Sequence, residues 1–127
     1  MPEISVVIPT LQRKKELLIN LIKNLEKDES VKEIIVIDNS TKGLDYKSEK
    51  LNLIIPKENL YVNPSWNLGV KEAKTDIIAL LNDDIIIPDN FCSAILSKMT
   101  KETGAIGANV DYIEIIDEIK ENPPLYN

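Results

Sequence analysis

The sequence contains no histidine and a single cysteine, Cys92, in 127 residues. The absence of histidine excludes histidine-based acid–base catalysis and histidine-ligated metal sites. One cysteine cannot form an internal disulfide or a cysteine-rich zinc site. Because Cys92 falls in a predicted helix, we interpret it as a small core or boundary residue.

Glycine is also scarce, with Gly43, Gly69, Gly104 and Gly107 as the four residues of this type. Neither of the common phosphate-binding motifs, G-x-G-x-x-G and G-x-x-x-x-G-K-[ST], can be drawn through them. A phosphate cradle made of backbone amides is therefore disfavoured. A metal ion that carries the phosphates is the better interpretation for any phosphate ligand of this chain.

Three further absences narrow the class of protein. The formal net charge of −6 argues against a nucleic-acid-binding surface, which is usually basic. No apolar stretch approaches the roughly 18 residues of a membrane span. The first ten residues, MPEISVVIPT, lack the basic start and the apolar segment of a secretion signal. We therefore predict a cytoplasmic protein with no nucleic-acid partner and no membrane span.

The residues that are present predict a single α/β domain over 1–127, with a tail from about residue 118 that is a linker or a truncated end. Short apolar runs alternate with segments of helical periodicity. Strands are predicted at 4–8, 33–37, 51–55, 77–81 and 105–110, and helices at 12–28, 65–73 and 88–101. This alternation predicts a mainly parallel central sheet with helices on both faces. Residues 111–121 fit either a helix or an extended strand.

The stretch TDIIALLNDDIIIP, from Thr75 to Pro88, suggests a site. Its first apolar run is continuous, which is typical of a central strand buried on both faces. Asn82, Asp83 and Asp84 then interrupt the hydrophobic segment, at the strand end where open α/β sheets bind ligands. Neighbouring carboxylates with no nearby basic residue suit a Mg²⁺ or Mn²⁺ ion whose shell is completed by phosphate oxygens. The alternative is a solvated strand end, with Asp84 or Asp89 capping the next helix.

Parallel strands bring other polar residues to the same edge of the sheet. The first strand is followed by Pro9-Thr10, the second by Asp38-Asn39-Ser40 and the fourth by Asn82-Asp83-Asp84. Together they suit a ligand with a polar ring at one end and a metal-bound diphosphate at the other. An ionised Asp38 only accepts hydrogen bonds, so it would suit a base with an imide N–H, such as uracil or thymine.

Four segments of the chain form a recognisable set, namely ISVVIPTLQR, EIIVIDNS, NLGVKEA and DIIALLNDDIIIPDNF. Together they resemble the nucleotide-binding half of a family-two glycosyltransferase with the GT-A fold, and the resemblance covers roughly residues 4–110. It implies a nucleotide-diphospho-sugar transferase-like domain in which Pro9 and Thr10 line the nucleotide site and Asp38 contacts the base. Asn82-Asp83-Asp84 resembles the Asp-x-Asp motif of the family. The resemblance puts Asn82 near the ribose and makes Asp84 the metal ligand, assisted by Asp83.

The resemblance also implicates three residues on the helices. Asn67 and Gly69 match the Asn-x-Gly of the family near the nucleotide, although helix capping and close packing explain them equally well. Arg13 stands where such enzymes often carry a basic residue, although its spacing also fits a solvated side chain in a first helical turn.

The reaction implied is the transfer of a sugar from a nucleoside diphosphate sugar, UDP- or dTDP-linked, to the hydroxyl of a saccharide or another acceptor. It implies Mn²⁺ or Mg²⁺ as cofactor and inversion at the anomeric carbon. Members of the family carry the general base and the acceptor site in a further C-terminal half. The late acids are Asp111, Glu114 and Asp117, and nothing in the sequence assigns the base to one of them. The alternative is a non-catalytic nucleotide-sugar-binding module completed by a partner chain, or a donor-binding fragment that lacks the acceptor half and the general base. An apolar surface left by the missing half would favour self-association into a homo-oligomer.

Overall fold

The computed structural model describes residues 2–107. It contains four strands and three helices in the order β1 (Ile4–Thr10), α1 (Lys15–Glu26), β2 (Val31–Asp38), β3 (Leu51–Ile54), α2 (Val62–Glu72), β4 (Ile77–Leu80) and α3 (Phe91–Lys98). These strands form one sheet in the order β3-β2-β1-β4, and every neighbouring pair is parallel. The predicted α/β class with a parallel sheet is confirmed.

One face of the sheet is covered by α1 and α3. The buried side of α1 presents leucine and isoleucine side chains at helical spacing, and α3 adds Cys92 and Leu96. These residues pack against alternate positions of β1 and β2, such as Val6 and Ile34. The thiol of Cys92 is buried as expected, and burial, together with the nearby Asp28 carboxylate, raises its pKa to about 12.

The other face is covered by α2, which explains the glycine in that helix. Val7, Ile35 and Ile37 pack there with Trp66 of α2. A Cβ atom on Gly69 would lie 2.2 Å from Val7 Cγ1, so only glycine allows α2 this close to β1. The sequence left ligand contact, helix capping and close packing open for Gly69, and in the structure this residue serves the close packing of α2 on the sheet.

Pro9 lies inside β1, whereas the sequence predicted that it ends the strand. Its register partner is Ile37 of β2, and β1 continues to Thr10. The Val7 carbonyl accepts a hydrogen bond from Leu81, so odd-numbered residues of β1 direct their backbone polar groups towards β4. Because β4 ends before the level of Pro9, the missing N–H of the proline costs no ladder hydrogen bond.

The predicted burial of β4 on both faces is not seen within residues 2–107. In this part of the chain β4 pairs only with β1, its residues are half-buried or exposed, and Leu80 is 46% exposed. The fifth strand predicted at 105–110 is absent over 105–107, and its remaining residues lie outside the described part of the chain. Asp111, Glu114, Asp117 and the tail from residue 118 also lie outside it.

None of the three helices begins at the residue that the sequence predicted. Gln12 has a φ of 56° and Asn90 a φ of 58°, so α1 and α3 begin only after these left-handed residues. The second helix was predicted to start at Ser65, yet Ser65 is buried inside α2, which begins at Val62. Across 2–107, no helix combines the length and the apolar character needed to cross a bilayer.

Candidate functional site

A cleft of about 480 Å³ opens at the carboxyl edge of the sheet, where the polar strand ends were predicted to meet. It is lined by Pro9, Thr10, Leu11, Arg13, Lys14, Asn39, Asn59, Tyr61, Val62, Asn82, Asp83 and Asp84. Six of the predicted site residues are therefore together in one cleft, namely Pro9, Thr10, Arg13, Asn82, Asp83 and Asp84.

A hydrogen bond joins the ends of β1 and β4 in this cleft. Thr10 Oγ1 donates to Asp83 Oδ2 at 2.7 Å, and it accepts a hydrogen bond from the Gln12 backbone N–H at 2.8 Å. The hydroxyl thus links the acid to the turn that precedes α1. Asp83 is half-buried, and the hydrogen bond holds its carboxylate against the end of β1.

Asp84 is the more available of the two acids. It is exposed and lines the cleft, and no hydrogen bond from residues 2–107 reaches its carboxylate. The described part of the chain has no group of three or more His, Cys, Asp or Glu side chains that could hold a metal. The donor set here is therefore two neighbouring carboxylates. This set fits Mg²⁺ or Mn²⁺, which proteins often bind through one or two carboxylates while phosphate and water complete the shell.

Two cationic side chains, Arg13 and Lys14, line the same cleft and are exposed. They belong to the turn after β1, immediately before α1 begins. A guanidinium and an ammonium group beside two carboxylates give the cleft both signs of charge. Such a cleft can bind an anion directly through the cations and indirectly through a metal on the acids.

Asp38 is placed differently from the sequence expectation. It is fully buried and does not line the cleft. Its Oδ1 accepts hydrogen bonds from the backbone and the hydroxyl of Ser40, and its Oδ2 accepts one from the Gly43 N–H at 2.7 Å. Gln12 covers this loop through a bond to the Gly43 carbonyl. In this arrangement the carboxylate shapes the loop after β2, and contact with a base requires the loop to open.

Asn67 and Gly69 also lie away from the cleft. Asn67 is exposed on α2, and Gly69 is packed against Val7. Neither residue is among those that line the cleft.

Asn39 was mentioned only as part of a strand end, yet it organises one wall of the cleft. Its Oδ1 accepts the Leu60 N–H at 3.0 Å, and its Nδ2 donates to Ser65 Oγ at 2.9 Å. Ser65 in turn donates to the Tyr61 carbonyl. The buried amide thereby ties the end of β2 to the loop before α2. In the sequence, the one feature that could have indicated this role of Asn39 is its position just after an apolar strand.

Tyr61 was missed altogether by the sequence interpretation. It has φ 64° and ψ −174°, a backbone region that is essentially restricted to glycine and costs about 1–3 kcal/mol for other residues. Its backbone N–H donates to Asn59 Oδ1 at 2.7 Å. Its side chain is 72% exposed and lines the cleft. Backbone strain of this kind concentrates at binding sites.

Comparison with known proteins identifies the family. The sequence profile described as glycosyl transferase family 2 matches residues 5–124 of this chain. The chain belongs to that family. The prediction made from the four motifs is therefore confirmed. A search of curated proteins gives no significant match.

The fold of this family-2 domain is also found in solved structures, of which 34 chains match significantly. One is the crystal structure of TarS from S. aureus, with a TM-score of 0.56 and 18% sequence identity. The alignment covers 75% of this chain and 19% of TarS, so the chain spans about a fifth of the length of that protein. The likeness supports the predicted GT-A architecture, with its parallel sheet and helices on both faces.

Proposed function

We propose that the cleft binds a nucleoside diphosphate sugar, with uracil or thymine as its base, and that the domain takes part in transferring the sugar to an acceptor hydroxyl. One observation carries the proposal: Asp83, fixed by Thr10, and the exposed carboxylate of Asp84 share a cleft with Arg13 and Lys14. A cleft with two acids and two cations suits a diphosphate that is bound through a metal. The sequence has no glycine-rich phosphate-binding motif that would bind the diphosphate instead. Membership of glycosyl transferase family 2 supports the reaction class.

The acids would hold Mn²⁺ or Mg²⁺ with Asp84 as the principal ligand and Asp83 as its neighbour. When bound, such an ion acts as a Lewis acid that neutralises charge on a leaving diphosphate. The role of Thr10 is to orient Asp83, since its hydroxyl donates to that carboxylate. Arg13 and Lys14 would attract the diphosphate oxygens, and Asn82 at the cleft wall would contact the ribose.

Inverting transfer also requires a base that removes the proton of the acceptor hydroxyl. Within residues 2–107, Asp83 and Asp84 are the acids that line the cleft, and the proposal already uses both for the metal. This favours a second candidate function, a module that binds the donor and relies on another part of the protein, a partner chain or a second copy for the acceptor and the base.

Calorimetric titration with UDP, with and without Mn²⁺, tests the donor site. We expect Mn²⁺-dependent binding that Asp84→Asn weakens at least about tenfold, because a neutral amide is a poorer ligand for a hard cation. Asp76→Asn is the matched control, since Asp76 is an exposed acid just before β4 and does not line the cleft. Equal binding with and without Mn²⁺, or equal effects of the two substitutions, would contradict the proposal.

A transfer assay with UDP-sugars separates the two candidates. Release of UDP that depends on an added acceptor and is lost in Asp84→Asn would favour a transferase. Mn²⁺-dependent UDP binding without turnover would favour the donor-binding module.

A further inference from the structure

Tyr61 combines features that its role in the fold does not explain. Its ring is 72% exposed, although its backbone occupies a conformation that glycine would adopt without strain. Among residues 2–107, its phenol takes part in no hydrogen bond and its ring belongs to neither hydrophobic cluster. A tyrosine therefore stands at a strained position without stabilising the folded chain through its side chain.

The strained conformation is nevertheless firmly held. Asn59 accepts the Tyr61 N–H, and the Tyr61 carbonyl accepts hydrogen bonds from the hydroxyl and the backbone of Ser65. Asn39 anchors the neighbouring Leu60 N–H to the end of β2. Three polar side chains thus fix the direction in which the chain presents Tyr61 at the cleft wall.

The strand order places this wall on the far side of the cleft from the acids. The loop of Tyr61 is tied to the end of β2, whereas Asp83 and Asp84 follow β4, and β1 lies between the two strands. Two strand spacings separate β2 from β4 by about 10 Å. A ligand whose diphosphate lies near the acids would therefore place its other end near Tyr61. Leu11, which is apolar and 37% exposed, also lines the cleft.

We infer that Tyr61 is the stacking surface for the nucleobase of the donor. This assignment rests on the proposed function, and it adds a base-recognition residue on the loop before α2. A base has an apolar π-face that aromatic side chains stack on regardless of its hydrogen-bonding pattern. Tyr61 would thereby determine affinity for the nucleoside part, while the acids and cations determine affinity for the diphosphate.

The test compares Tyr61→Phe with Tyr61→Leu in calorimetric titrations with UDP and, separately, with inorganic pyrophosphate, both with Mn²⁺. Both substitutions keep a side chain at the strained position, but only phenylalanine keeps the aromatic face. We expect Tyr61→Phe to bind UDP as the wild type does and Tyr61→Leu to bind it roughly 5- to 150-fold more weakly, the range measured for single base–aromatic stacks. Pyrophosphate, which has no base, should bind all three proteins equally.

Tyr61→Gly gives an independent check on folding. It removes the ring and relieves the backbone strain, so we expect weaker UDP binding together with an unchanged or higher thermal midpoint. Asn90→Gly, at another left-handed residue outside the cleft, is the control and should leave UDP affinity unchanged.

Equal UDP affinity in the leucine variant and the wild type would overturn the assignment of Tyr61 while leaving the proposed function intact. A parallel loss of pyrophosphate binding in that variant would also overturn it, because the effect would then not involve the base. Failure of the wild type to bind UDP at all would overturn the proposed function and this inference together.

Discussion

At the scale of single residues, Gly69 shows how a position can match a family motif and still serve packing. The contact that a Cβ would make with Val7 Cγ1, at 2.2 Å, is shorter than any tolerated non-bonded distance. Because Val7 is fully buried in β1, its side chain has little room to move. The residue therefore sets the distance between α2 and the sheet.

Gly69→Ala should consequently destabilise the domain by about 1–3 kcal/mol, the usual cost of forcing extra volume into a packed core. Urea denaturation gives the free energy of unfolding. The penalty should shrink in a Val7→Ala background, where the two closest contacts, with Cγ1 and Cγ2, are removed and only the Cβ at 3.0 Å remains. Under conditions where the protein is folded, UDP affinity should not change, since Gly69 does not line the cleft. An unfolding free energy equal to that of the wild type would contradict the packing role.

Site residues could be predicted from sequence only where strand ends determine their place. Thr10 ends β1 and Asp83 comes just after β4, and the parallel pairing of these strands brings the two side chains together in a hydrogen bond. Tyr61 could not be found in this way. Its position depends on the path of the loop before α2 and on a backbone angle that no sequence pattern around it indicated.

At the scale of elements, the apolar runs of β1 and β2 predicted buried strands correctly because both strands are flanked by neighbours in the sheet. The same type of run in β4 predicted a strand buried on both faces, whereas within residues 2–107 β4 lies at the edge of the sheet and is only partly buried. Whether a strand lies at the centre or the edge of a sheet depends on strand order, which the run itself does not encode. The predicted starts of α1 and α3 were wrong for a local reason, because the left-handed residues Gln12 and Asn90 interrupt segments whose side-chain periodicity is helical.

The start of α3 is hydrogen-bonded to the buried carboxylate of Asp28, which precedes β2 at the edge of the sheet opposite the cleft. Asp28, between α1 and β2, accepts hydrogen bonds from the backbone N–H and hydroxyl of Ser93 and from those of Ser30. Burial raises the pKa of Asp28, but these hydrogen bonds outweigh it, so the pKa lies below the ordinary value. The ionised carboxylate thus fastens α3 to the α1–β2 turn.

The pH dependence of stability follows from the direction of that shift. A lowered pKa in the folded state gives a stabilising contribution that is present above the unfolded pKa of about 3.9 and is lost as pH falls through the folded value. Asp28→Asn should therefore be less stable than the wild type at pH 7. The difference should narrow as pH drops below about 4. Urea midpoints measured from pH 7 to pH 3 check this, and a difference that stays constant with pH would contradict it.

At the scale of the whole molecule, the net charge of −6 bears on how a nucleotide could bind. An acidic protein attracts divalent cations and repels a free diphosphate. Within the described residues, Arg13 and Lys14 are the cations that line the cleft, together with the two acids. A metal on Asp83 and Asp84 would reverse the local charge, so that metal and nucleotide would each favour binding of the other.

This mutual dependence is the central claim, and Mn²⁺ binding followed by electron paramagnetic resonance tests it most directly. Titrations of the free Mn²⁺ signal are compared with and without UDP, and Asp84→Asn under identical conditions accounts for Mn²⁺ chelated by UDP alone. We expect UDP to raise the Mn²⁺ affinity of the wild type by about tenfold or more, as reciprocal coupling requires, and to have no such effect on the variant. Equal Mn²⁺ affinity in the two proteins, with UDP present, would contradict the account.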